Sequence, residues 1–144
     1  MAVTQVSVFL ENRPGSLNEV ISLLGQAGVN IRALSLADTA RYGILRLMVN
    51  DVKKAVRTLG KANIAATTTP VLAVEVPDRP GGLARIVAAC ADAGLNIEYL
   101  YAFVEKKARE RAVVVLRFED VRNAERVLEK LGVRQLTEQD IAAL

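Results

Sequence analysis

This chain is written twice. Asn12-Arg13-Pro14-Gly15-Ser16-Leu17 returns as Asp78-Arg79-Pro80-Gly81-Gly82-Leu83, and Gly28-Val29-Asn30-Ile31 returns as Gly94-Leu95-Asn96-Ile97, both 66 residues on. Asp51-Val52 returns as Asp120-Val121 after 69 residues, so the second copy carries three extra residues in between. A repeat of this length divides the 144 residues into two units, 1–69 and 70–144. A domain of about 70 residues buries only about 60% of its unfolded surface. The halves are therefore expected to pack on each other, on a second chain, or both.

Within each copy the hydrophobic period changes in the same order. Thr4–Leu10 alternates, with Val6, Val8 and Leu10 on one face, and Val71–Val76 repeats this with Leu72, Val74 and Val76. A helical stripe follows, Leu17, Val20, Ile21 and Leu24, matched by Leu83, Ile86, Val87 and Cys90. Ser16 and Glu19 have the spacing of a capping box. Gly28 and Gly94 stand where a helix ends in the left-handed region.

Second strands are expected at Ile31–Ala37 and Ile97–Val104, and third strands at Tyr42–Val49 and Ala112–Phe118. Asp51 and Asp120 can cap second helices striped by Val52, Ala55, Leu59 and by Val121, Ala124, Leu128, Leu131. Short strands close the copies near Ile64–Thr69 and Val133–Leu136, before a helical turn at Glu138–Leu144. Each copy thus reads β-α-β-β-α-β, an α+β, ferredoxin-like unit with two helices on one face of an antiparallel sheet. The run Glu105–Arg111 absorbs the insertion as a solvated hairpin tip. Thr67-Thr68-Thr69-Pro70 joins the copies with no Gly/Ser linker, so strand runs almost directly into strand.

The residue inventory argues against catalysis. Histidine is absent, which removes the commonest general base and metal ligand, together with any Ser-His or Cys-His pair. One cysteine cannot form an intramolecular disulfide, and Cys90 falls on the helical stripe as a core residue. No glycine pattern forms a phosphate loop. Neither a cofactor nor a metal is expected. The net charge is +3, residues 1–70 hold eight basic residues against four acids and residues 71–144 eleven against twelve, and no stretch clusters basic residues among aromatics, so no basic face for nucleic acid is expected. No apolar run reaches membrane-span length and no secretory signal opens the chain, so a cytoplasmic location is expected.

What remains is the turn between the first strand and the first helix. Pro14 and Pro80 fix the chain ahead of the helix, and Gly15 and Gly81 leave no side chain above its free N–H groups. Such a terminus suits a carboxylate, and Asn12 or Asp78 beside it can accept from an ammonium. Together they describe an amino-acid site. The same residues also read as an ordinary turn in which the Asn or Asp side chain satisfies backbone N–H groups, and Asn30 and Asn96 read equally as turn residues. Arg13 and Arg79 are surface charges able to steer an anion. Tyr99 and Tyr101, with Ile97 and Phe103 on one strand face, stand against Ala33 and Ser35 in the first copy. They form a pocket wall or an oligomer interface, and their enrichment at interface cores favours the latter.

Asn-Arg-Pro-Gly-x-Leu, a helix, then Gly-Val-Asn-Ile, all inside βαββαβ and present twice, resembles the ACT domain, the amino-acid-binding regulatory module of many metabolic enzymes. The resemblance covers almost the whole chain and is closest to stand-alone tandem ACT proteins. In serine-sensing members the ligand lies between the first turn and the Asn-Ile after helix one, often across an interface between two ACT units. The resemblance thus implies ligand contacts from Asn12, Arg13, Pro14, Gly15, Ser16, Leu17, Asn30 and Ile31. In the second copy it implies Asp78, Arg79, Pro80, Gly81, Gly82, Leu83, Asn96 and Ile97. Those members carry a histidine two residues before the Asn, where this chain has Leu10 and Val76, and the second copy replaces the Asn with Asp78. The expectation is a non-catalytic homodimeric regulator that binds an amino acid and acts on a metabolic enzyme partner. The alternative is a constitutive subunit of the acetolactate synthase small-subunit kind, acting by protein contact without its own ligand.

Overall fold

The computed structural model describes residues 2–38, 41–104 and 110–144, the side chain of residue 104 excepted. By contact the chain divides into two compact units. One comprises Thr4–Thr69 with Ile141–Ala143; the other comprises Pro70–Asp140 with the N-terminal residues and Leu144.

The first copy runs β1 (Val3–Glu11), α1 (Ser16–Gln26), β2 (Ile31–Asp38), β3 (Tyr42–Val49) and α2 (Val52–Lys61) into β4 (Ala66–Pro77). β3 pairs antiparallel with both β1 and β2, aligning Val6 and Leu34 with Leu47, and Val8 and Leu36 with Leu45. Alternation therefore places Val6, Val8, Leu45 and Leu47 on one face. There they bury against Val20 and Leu24 of α1 and Ala55 and Leu59 of α2. Leu17 and Val87 depart from their expected stripes and are more than a third exposed. Both sit at the margin of a stripe whose centre is held by Val20 and Leu24 or by Ile86 and Cys90.

The second copy continues from β4 through α3 (Gly82–Asp92), β5 (Ile97–Val104), β6 (Arg111–Phe118) and α4 (Val121–Lys130) to α5 (Glu138–Ala143). β6 pairs antiparallel with β4 and β5. Leu72, Val74, Val76, Leu116 and Phe118 bury against Ile86, Cys90, Ala124 and Leu128. These are ferredoxin-like halves in tandem, as the hydrophobic periods require.

Three details differ from expectation. The closing strand of the first copy and the opening strand of the second are one strand, β4. Val133–Leu136 forms no strand. Glu75 N–H donates to Arg134 O at 3.0 Å and Leu136 N–H to Ala73 O at 2.7 Å, leaving an isolated bridge. Thr137 then diverts the chain into α5, where its hydroxyl accepts from Asp140 N–H at 3.2 Å. Ser16 does not cap α1; the N-cap is Gly15, and Ser16 lies inside the helix. Asp51 and Asp120 do cap α2 and α4, accepting from Lys54 N–H at 3.0 Å and Asn123 N–H at 3.1 Å. The expected tip at Glu105–Arg111 falls outside the described residues from 105 to 109.

Candidate functional site

The two strand-to-helix turns match bond for bond. Asn12 N–H donates to Arg41 O at 2.9 Å, and Asp78 N–H to Glu110 O at 2.7 Å. Ser16 N–H donates to Arg13 O at 3.4 Å, and Gly82 N–H to Arg79 O at 3.0 Å. Gly15 and Gly81 are the N-caps of α1 and α3, at φ 89° and 84°, a left-handed conformation that L side chains adopt only with strain. No side chain caps either helix. Asn12 and Asp78 are both exposed, and neither is the cap residue of its helix. A Cβ built on Gly15 or Gly81 meets nothing within 4 Å, so the space above both helix starts is open. The first-turn amides that have no intrahelical acceptor bear partial positive charge into that space. α2 and α4, with aspartate caps, offer no such terminus.

Around the second turn lies an open cleft of about 880 Å³ that includes Asp78, Arg79, Pro80, Gly81 and Gly82. Its wall brings in residues that the sequence reading did not single out: Glu75, Arg85, Glu110, Arg111 and Arg134. The Glu75 side chain is only 9% exposed and is held at Oε2 by Arg111 Nη1 at 2.9 Å, while Arg134 Nη1 pairs with Oε1. Arg134 also reaches Asp140 Oδ1 at 3.5 Å. Arg85 donates to the Leu131 carbonyl, at the end of α4, at 3.2 Å. The available signal was Glu75 itself, the one charge in the twelve residues of β4.

Gly82 serves packing. A Cβ there would stand 2.1 Å from Pro77 O, so only glycine lets α3 start this close to the strand end. Leu83 packs partly buried against the second core. Asn30 and Ile31 are not brought to the first turn. They follow α1, whose 11 residues span about 16 Å, and Asn12 lies before it. Asn96 and Ile97 stand beyond α3 in the same way and do not line the cleft. Asn30 is tied to the end of β3 instead, its N–H donating to Asn50 Oδ1 at 2.9 Å.

A register shift between Ile97 and Tyr99 also separates residues expected on one face. Ile97 lies opposite Phe118 and packs into the second core, whereas Tyr101 and Phe103 lie opposite Val115 and Val113 on the other face. Among the described residues no helix is long and apolar enough to cross a membrane.

A family model described as an ACT domain pair matches residues 1–144. A crystal structure of a Bacteroides thetaiotaomicron protein is 35% identical, with a TM-score of 0.93, over 100% of this chain and 98% of that one. The ligand-free regulatory subunit of aspartate kinase from Thermus thermophilus shares the fold at 20% identity and a TM-score of 0.63. The match covers 88% of this chain and 91% of that subunit. The regulatory subunit of aspartate kinase from Thermus flavus shares it at 19% identity and a TM-score of 0.61, covering 88% and 90%. No curated protein matches the chain in sequence.

Proposed function

The chain belongs to the ACT domain pair family, and on that premise we propose that it is a non-catalytic regulator that binds an amino acid at the two strand-to-helix turns. The observation that carries this reading is the contrast among the four long helices. α2 and α4 begin on capping aspartates, whereas α1 and α3 begin on bare glycines with open space above them. Amides left open at a helix start suit the ligand carboxylate. Asn12 and Asp78, adjacent and exposed, suit its ammonium.

Asn30 and Ile31, like Asn96 and Ile97, lie a helix length from the turn of their own copy. For both motifs to touch one ligand, a second ACT unit has to bring the far end of a helix to the turn, and a homodimer would supply such units. A ligand clamped in that way favours one arrangement of the chains over others. Coupling of this kind is typically about 1–3 kcal/mol, enough for a partner enzyme to read. The shared fold with regulatory subunits of aspartate kinase is in keeping with a metabolic enzyme as that partner. The family and the lack of any histidine-based catalytic pair support a protein without its own reaction. The buried lone thiol suits a reducing cytoplasm.

Thermal melts against the twenty amino acids at millimolar concentration test the reading. A ligand at 100 times its Kd adds about 2.7 kcal/mol, and each kcal/mol moves a chain of this size by roughly 3–5 °C. One chemically coherent shift is expected. Twenty unchanged curves would favour the constitutive-subunit alternative.

A further inference from the structure

We propose that the cleft of the second copy selects an amino acid of net negative charge, one whose side chain carries a second carboxylate, and that the first copy does not share this preference. The inference rests on the reading of the turns as amino-acid sites and names the ligand class at one of them.

The cleft is lined by four arginines against three carboxylates, Glu75, Asp78 and Glu110. Its charges are not equally available. Glu75 is consumed by Arg111 and Arg134. Among the described residues neither Arg79 nor Arg85 has an ion-pair partner, and both stand at the open start of α3. Asp78 and Glu110 are joined through the backbone, Asp78 N–H to Glu110 O at 2.7 Å, which puts two acids at one edge of the cleft. The cleft therefore offers one anionic edge for an ammonium and a larger cationic surface made of Arg79, Arg85 and the α3 amides. A neutral amino acid brings one carboxylate to that surface and leaves a guanidinium unmatched. An acidic one matches both. A basic side chain meets two unpaired arginines and is repelled. The apolar lining is confined to Val76, Ile86, Val133 and the two prolines, and Val76 and Ile86 are already almost wholly buried. A branched or aromatic side chain gains little contact there.

The first copy does not build this surface. At the positions of Glu75, Arg85, Arg111 and Arg134 it has Phe9, Glu19, Tyr42 and Ala65. Arg13, in the place of Arg79, is paired with Glu11 at 2.8 Å. Its equivalent positions carry two arginines, Arg13 and Arg41, against Glu11 and Glu19, with no excess positive charge.

The test is a melt and a calorimetric titration with L-aspartate, L-glutamate, L-leucine and L-lysine, against sodium chloride at matched ionic strength. The same is done on Arg79→Gln and Arg85→Gln, with unliganded melts as folding controls. The expected result is a shift with one or both acidic amino acids, none with leucine or lysine, and at least a tenfold loss of affinity in each variant. A shift with leucine or lysine that disappears in Gly81→Ala would overturn the charge selection while leaving the turn as the site. An acidic amino acid that binds equally in both arginine variants would overturn this assignment of the cleft. No shift with either acidic amino acid would overturn this inference, and silence with all twenty amino acids would overturn the proposed function with it.

Discussion

Glu75 and Arg134 are joined twice: the Glu75 amide donates to the Arg134 carbonyl at 3.0 Å, and the Arg134 guanidinium returns to the Glu75 carboxylate. In the first copy only the backbone half survives, as Phe9 N–H to Ala65 O at 3.2 Å. The side-chain half is thus an addition to an existing frame. Glu75→Gln leaves the frame intact and removes the charge from two arginine pairs. Both arginine side chains are more than half exposed, which limits the loss. We expect a cost of about 1 kcal/mol and a melting temperature lower by roughly 3–5 °C, measured by calorimetry. A fall of 10 °C or more would mean that Glu75 supports the core as well as the cleft.

Gly81 and Gly82 are adjacent and differ in what they need glycine for. Gly81 needs the left-handed φ of 84°, and its added Cβ meets open space. Gly82 needs the room, because its added Cβ lies 2.1 Å from the Pro77 carbonyl oxygen. Gly81→Ala is expected to cost about 1–2 kcal/mol through backbone strain alone. Gly82→Ala forces the strand end and helix start apart, costing about 1–3 kcal/mol or more, and is the worse of the two in urea unfolding. The reverse order would mean that α3 slides freely along β4.

Most of the fold was legible because it is local and written twice. The stripe Val20 and Leu24, its partner Ile86 and Cys90, and the caps Asp51 and Asp120 depend on spacings within one or two turns of chain. The misses have nonlocal causes. Ser16 and Glu19 have capping-box spacing, but Arg13-Pro14-Gly15 carries the turn one residue further and makes Gly15 the cap. Alternation assigned Ile97 and Tyr99 to one face, and a register shift against β6 divides them. The turn half of the site was visible as a motif. The charged wall was not, since Glu75, Arg111 and Arg134 are scattered over sixty residues and meet only through strand pairing and the segment after α4.

Cys90 gives a direct probe of the second core. It is 1% exposed among Leu72, Val74, Ile86 and Leu128, and burial pushes its thiol up from the ordinary range. The thiolate is the reactive form, so a thiol reagent should label the native protein only through opening. Labelling rates should rise with urea in step with unfolding, and one thiol per chain should react in full denaturant. Native labelling at the rate of a free cysteine would contradict this burial.

Asp140 supplies a pH dependence. Its Oδ2 accepts from Thr137 N–H at 2.8 Å and from the Thr137 hydroxyl at 3.0 Å, while Thr137 Oγ1 accepts from Asp140 N–H at 3.2 Å. This reciprocal box fixes the start of α5. The backbone bond from Thr137 and then its hydroxyl hold the Asp140 carboxyl below its ordinary value against an opposing desolvation, with a lesser contribution from the charge of Arg134. A carboxyl depressed by folding contributes stability that is fully present above its unfolded pKa, about 3.9. That contribution is lost as the pH falls through the lower folded value. The acid limb of the stability curve, below about pH 4, should therefore flatten in Asp140→Asn, while the slope near pH 7 stays unchanged. Thr137→Ala removes the hydroxyl but keeps the backbone donor, so carbon-detected NMR should show Asp140 titrating at a higher pH than in the wild type, though still below an unfolded aspartate. An unchanged titration would place the depression wholly on the backbone bond and Arg134. A fully normal one would mean that the hydroxyl orders the whole box.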